Sequence, residues 1–317
     1  MCPPRQGEPA SMPYVWFLLI CSIWGSSFIL MKRAAICLSP TAISAGRVGF
    51  GALVVGLLYW RMRQRGHFRR QDLFPLAAVV LVGFVWPYTA QPWLIAKHQN
   101  SAFIGMTVAF TPLLTLLVSA VVLKTLPTPR QMIGVMGALF CLSLLMWDGW
   151  RQSLPAADLA LAISVPLGYA LCNVWTRKWL THLPTHELSL YCLAGSATVL
   201  VPAALCSAAP DTFTPTQLPW SWGAVAILGM LGTGLSTFLF IRLIQEQGPL
   251  FAAMVTNIVP LGAMAWGWAD AETITSRQLM AMAGVIAMVA LVQYGAAVKP
   301  VVRAQPQPEM APAGAEA

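Results

Sequence analysis

Ten stretches of the chain are almost wholly apolar, separated by short polar breaks. They lie near 14–31, 41–60, 73–95, 101–123, 131–147, 158–176, 187–206, 221–241, 249–268 and 278–298. The first, YVWFLLICSIWGSSFILM, reaches about 27 Å as a helix, close to the hydrocarbon thickness of a bilayer. A helix satisfies its own backbone hydrogen bonds, as an apolar surrounding demands. Each run is therefore expected to span a membrane as a helix. The run at 131–147 is short, and 187–206 opens on Glu187. Residues 1–13 and 299–317 are polar, or rich in Pro, Ala and Gln, and read as disordered tails. A signal peptide is disfavoured for the first run, which is long and has no clean A-x-A site after it.

The apolar pattern repeats. Residues 100–141 carry Pro112 in one run, a polar break at 124–129, then Arg130-Gln131 at the head of the next run. About 147 residues later, Pro260 and Arg277-Gln278 take the same places. That period is too long for a solenoid. It suits a chain built from two halves, 14–150 and 151–298, as many transporters are. Five spans per half is an odd number, so the second half is expected to enter the membrane from the opposite face, making the repeats inverted.

Composition agrees with the pattern: 57% of residues are hydrophobic and 9% charged, against about 25% charged in a soluble domain. The net charge of +8 is informative through its placement. Arg61, Arg63, Arg65, Arg69 and Arg70 crowd the break between the second and third spans, which the positive-inside rule puts in the cytoplasm. Counted onward, inside segments hold thirteen basic residues and outside loops five, with Arg47 alone within a span. Both termini are expected in the cytoplasm, in the inner (plasma) membrane. No nucleic-acid partner is implied.

The seven cysteines are scattered, without a CxxC, and read as small apolar filler. His182, His186 and Glu187 are in the wrong order for a zinc helix, with Pro184 between the histidines, so no metal is expected. No nucleophile–histidine pair or phosphate loop suggests catalysis, and no cofactor is expected. Acidic residues fall in tails, loops and span ends, so no carboxylate is expected at mid-membrane. The arginine cluster at 61–70 can also touch anionic lipid.

Several polar groups lie within the spans: Tyr88, Gln91, Thr111, Tyr169, Asn173 and Asn257. In hydrocarbon they need partners and should face the protein interior, with Trp24 and Trp86 as apolar walls. Arg47, about six residues into its span, has two readings: snorkelling or packing, and binding of an anionic group. Pro112 and Pro260 are expected to interrupt helices, with Pro87, Pro92 and Pro166; freed carbonyls there line a cavity or merely mark a kink.

The chain resembles the drug/metabolite transporter superfamily, and within it the ten-helix EamA-type transporters. The resemblance rests on Trp24-Gly25-Ser26-Ser27-Phe28 followed by Lys32, and on Pro40 and Arg47. It rests also on a paired ending, Gly-Glu with Gln six residues on and Gly three later. Here that ending reads Thr125, Gln131, Gly134 and then Glu272, Gln278, Ala281, so one position departs in each half. The resemblance implies an all-α membrane protein of two inverted five-helix repeats that moves small metabolites, such as amino acids or related compounds, most simply outward. It also implies a substrate cavity lined by the first, third, fourth, sixth, eighth and ninth spans. Trp24, Tyr88, Thr111, Tyr169, Asn173, Asn257 and Arg47 are the candidate substrate contacts. A membrane-embedded lipid-modifying enzyme and a non-transporting sensor or scaffold are the alternatives. Oligomeric state is left open.

Overall fold

The computed structural model describes residues 12–62, 66–99, 101–124, 127–150, 155–207, 216–271 and 276–296. Expectations for the tails and for Arg63, Arg65, Thr125 and Glu272 fall outside these residues. Among the described residues the protein is all helix, in ten rods. These are α1 (Met12–Ala34), α2 (Pro40–Arg61), α3 (Arg70–His98), α4 (Ser101–Thr107, Val108–Phe110 and Thr111–Val122), α5 (Pro129–Trp150) and α6 (Ala156–Trp179). They continue as α7 (Thr185–Leu205), α8 (Leu218–Gln247), α9 (Pro249–Ala269) and α10 (Ser276–Ala296). All but α5 and α10 are long and apolar enough throughout the described residues to cross a membrane.

Local chemistry sets the helix ends. Ser39 Oγ accepts from the Ala42 amide at 3.2 Å, with Pro40 in the first turn of α2. Thr128 and Gln131 exchange bonds, Thr128 N–H to Gln131 Oε1 at 3.0 Å and Gln131 N–H to Thr128 Oγ1 at 3.3 Å. This is a capping box, and it gives the glutamine of the family ending a structural job. Gly248, at φ +94°, closes α8, and Pro249 opens α9 at once; a residue with a Cβ is disfavoured there.

Four helices are broken, in matching pairs. α3 widens into a π turn over Leu81–Val85, and α8 does so over Leu228–Leu235, close to the 147-residue spacing. α4 passes through a 3-10 turn at Val108–Phe110, after which Pro112 sits harmlessly in a first turn. α9 breaks at Met254, six residues before Pro260. Pro260, Pro92 and Pro166 stand inside continuous helix, so the expectation that each proline interrupts its helix fails at those three.

The packing repeats under exchange of the halves. α1 lies on α9 as α6 lies on α4, while α2 pairs with α7 and α5 with α10. Lys32 and Arg33, in the last turn of α1, meet Asp270 just past the end of α9, so those two helices run parallel. The exterior is apolar: Trp60, Phe74, Leu205 and Trp220 are each more than 80% exposed. In water each would forgo roughly 1.5–3 kcal/mol of burial, which lipid supplies.

Candidate functional site

α1, α2, α3, α4, α6, α8 and α9 surround one cavity containing about 820 Å³ of empty space, its open mouth included. Both halves build it, and partly by equivalent positions. Trp24 and Cys172, Phe28 and Thr176, Val108 and Thr256, and Thr111 and Val259 are each 148 residues apart, and all eight line it. The occupants differ within each pair, so the backbone arrangement is two-fold while the chemistry is not.

The opening motif of α1 now has a geometry. Helical spacing turns Trp24, Ser27, Phe28 and Met31 to the cavity. Trp24 Nε1 donates to the carbonyl of Gly232 in the α8 π turn at 2.9 Å, a bond between the halves. Its ring packs on Phe240 at 4.9 Å. Gly25, on another side of the helix, brings α1 against Gly262 of α9 so closely that a Cβ at Gly25 would lie 2.8 Å from the Gly262 Cα. Lys32 closes the motif with a 2.7 Å ion pair to Asp270. That hydrogen bond holds the Asp270 carboxyl below its usual range, against partial burial.

Arg47 is the charged group of the cavity wall. It is the eighth residue of α2, roughly 10 Å from the helix start, and only 4% exposed, so it does not snorkel. Its Nε donates to Thr233 Oγ1 at 3.2 Å, and its guanidinium carbon stands 3.9 Å from the centre of the Tyr88 ring. A cation–π contact contributes about 2 kcal/mol when desolvated, against about 2.5–3.5 kcal/mol for placing arginine deep in a membrane helix. Tyr169 hydroxyl donates to Gln91 Oε1 at 3.3 Å. Asn173 is buried, and its Nδ2 has no protein partner.

Of the seven candidate residues, Trp24, Arg47, Tyr88, Thr111, Tyr169 and Asn173 meet around this cavity. Asn257 does not line it. Its neighbour Thr256 does, and Asn257, one helical step round, bonds Met254 Sδ at 3.7 Å. Trp86 is not a wall either: it is half exposed and donates to Ser164 Oγ at 2.9 Å. The π turn just before it leaves Phe84 and Tyr88 facing inward instead. Sequence reasoning passed over Ser27, Thr176, Thr237 and Thr256. Thr176 and Thr256 are the repeat partners of Phe28 and Val108, which are not themselves sequence candidates, so the repeat singles out none of the four without the structure.

Several ionisable groups near helix ends are paired. Asp158 meets Lys97 at 2.7 Å and His98 at 2.8 Å, and Arg242 meets Glu246 at 2.7 Å. His182 meets Asp72 at 3.0 Å, while Glu187 accepts from the Gly66 amide and the Tyr191 hydroxyl. His182 and Glu187, two residues of the motif considered for metal, thus have separate partners.

A profile of the EamA-like transporter family matches residues 11–147 and again 157–294. The chain belongs to that family. The two matches cover the two halves related by the packing exchange, and the protein is a membrane transporter of this family. An S-adenosylmethionine/S-adenosylhomocysteine transporter of Chlamydia muridarum (strain MoPn / Nigg) is 26% identical over 276 residues, 81% of this chain and 84% of that protein. The uncharacterized transporter YyaM of Bacillus subtilis (strain 168) is 20% identical over 259 residues, 79% of this chain and 83% of its own length. A crystal structure with 16% identity has the same fold, with a TM-score of 0.69, covering 90% of this chain and 98% of that one.

Proposed function

We propose that this EamA-family transporter exports small metabolites across the inner membrane by alternating access, binding them in the central cavity through Trp24, Arg47, Tyr88, Thr111, Tyr169 and Asn173. The observation that carries the reading is that one cavity takes its walls from both halves, whose helices pair as a two-fold exchange. A site between inverted repeats opens to one face and then the other as one half rocks on its partner. A mostly apolar pocket with a few placed polar groups suits a small metabolite. The related Chlamydia protein, named for S-adenosyl compounds, supports a metabolite as cargo. The lining has no paired catalytic groups, which favours carriage over lipid modification.

Flux into proteoliposomes, normalised to inserted protein, tests the shared site. Losing one hydrogen bond costs roughly 0.5–1.5 kcal/mol, or about two- to tenfold in affinity. Trp24→Ala from one half and Asn173→Ala from the other should each lower flux by at least that much. Met136→Leu, on the exposed side of α5, should leave it within about twofold. Equal losses in all three, or a loss confined to one half, would rule out a shared site.

All ten helices cross the membrane in this reading, and both ends of the chain lie in the cytoplasm. A reporter active only in the periplasm, fused after Lys299, should be silent, whereas one placed between α1 and α2 should be active. The reverse result would turn the assignment of faces over.

A further inference from the structure

The Arg47 guanidinium has fewer partners than its position demands. It lines the cavity and is more than nine-tenths buried. Its Nε is spent on Thr233 Oγ1, and Nη1 reaches only the Met31 sulfur at 3.6 Å, a weak acceptor. Among the described residues no Asp or Glu lies within ion-pair distance of it. The Tyr88 ring beneath it neutralises no charge and uses none of its N–H donors. A buried arginine ordinarily has a carboxylate opposite, and here the cavity occupies that place.

A second observation points the same way. Asn173, on the same wall, carries a buried Nδ2 without a protein partner, and the Gln91 Oε1 acceptor receives the Tyr169 hydroxyl. Arg47 is the charged group of the lining, and it keeps N–H donors unspent. Trp24, Phe28, Phe84 and Phe240 supply aromatic walls, and no carboxylate is in the lining. An ammonium brought into this space would meet Arg47 as a like charge, with nothing opposite in sign to receive it.

We infer that the cavity takes organic monoanions with an apolar, preferably aromatic, body, a carboxylate being the plain case, and discriminates against the zwitterionic amino acid of the same shape. This rests on the carrier reading for its site, but it concerns binding, so the two can fail separately.

The test uses full-length protein in lipid nanodiscs and two matched sets of probes. One is 3-phenylpropionate, its primary amide and phenylalanine; the other is indole-3-propionate, its primary amide and tryptophan. Members of a set differ at the head group alone. Equilibrium binding is measured for each. The carboxylates should bind at least tenfold more tightly than the amides and the amino acids. Arg47→Gln should abolish that preference, and Arg47→Lys should keep part of it. The wild-type ranking does not depend on any variant folding. Equal binding of an amide or amino acid overturns the inference, as does an unchanged carboxylate Kd in Arg47→Gln, or the absence of measurable binding by either carboxylate. Flux of any solute in proteoliposomes, abolished by Trp24→Ala, would uphold the carrier reading through each of those failures.

Discussion

Gly25→Leu should leave little folded protein in the membrane, and Gly25→Ala should lower the melting temperature of the purified protein by about 2–12 °C. The reason is the crossing of α1 and α9. A Cβ at Gly25 lies 2.8 Å from the Gly262 Cα, and one at Gly262 lies 2.7 Å from the Gly25 Cα. Both obstacles are backbone, so no rotamer change relieves them and the helices must part. Overpacking of this kind costs roughly 1–3 kcal/mol for small additions, and each kcal/mol shifts melting by about 2–4 °C in a domain of 150–250 residues. Close approach through small residues is how membrane helices gain packing when lipid offers no hydrophobic drive. Gly223→Leu is the control, since a Cβ there has no neighbour within 4 Å. Melting curves and inserted yield of the two leucine variants decide the matter: if they match, the α1–α9 crossing is not as tight as described.

Asp270→Asn should release the ends of α1 and α9 from each other. Asp270 receives both Lys32 and Arg33 there. Among the described residues, the seam related by the repeat, α6 on α4, has no such ion pair. Arg177 near the end of α6 donates to the carbonyls of Ile244 and Gln245, and Val122, 148 residues before Asp270, stands at the equivalent position. Among the described residues the ionic closure is therefore one-sided, on the face proposed above to be external. Spin labels at Ile36→Cys and Trp268→Cys, in a background without the native cysteines, report the separation. The long-distance population should rise about tenfold in Asp270→Asn, equivalent to ~1.4 kcal/mol. Acid should do the same to the wild type. Lys32 holds the Asp270 carboxyl below its ordinary value of 3.8, so the latch is complete above that value. It is lost as pH falls through the lowered one. The Asn variant should be flat over that interval. Identical distances in both proteins at every pH would mean that the pair holds nothing closed.

Much of this was legible in the chain because it is written as length and period. Apolar runs of helix-spanning length and Pro112 with Pro260 at one spacing report the membrane and the duplication without any tertiary knowledge. The cavity residues were legible for a related reason: Tyr88, Thr111, Tyr169 and Asn173 are polar where hydrocarbon forbids polarity, so they had to face inward. Register was not legible. The π turn before Trp86 has no signature in Leu81–Val85, so Trp86 was put on the wall and is not there. Asn257 failed likewise, because the α9 break falls at Met254 and not at the proline. Side-chain partners were invisible too. Only folding brings Asp270 beside Lys32, or leaves Arg47 without a carboxylate.

The lengths of α3 and α8 bear on the membrane itself. At 29 and 30 residues they reach roughly 44 Å, well beyond a hydrocarbon core of about 30 Å. They must lean over, or carry their ends through the headgroups. Each has its π turn near the middle, where a leaning helix bends most cheaply. Tyr88, Gln91, Thr237 and Phe240 hang from these same two helices. The thickness of the surrounding bilayer, through the tilt it imposes, is thereby coupled to the width of the cavity.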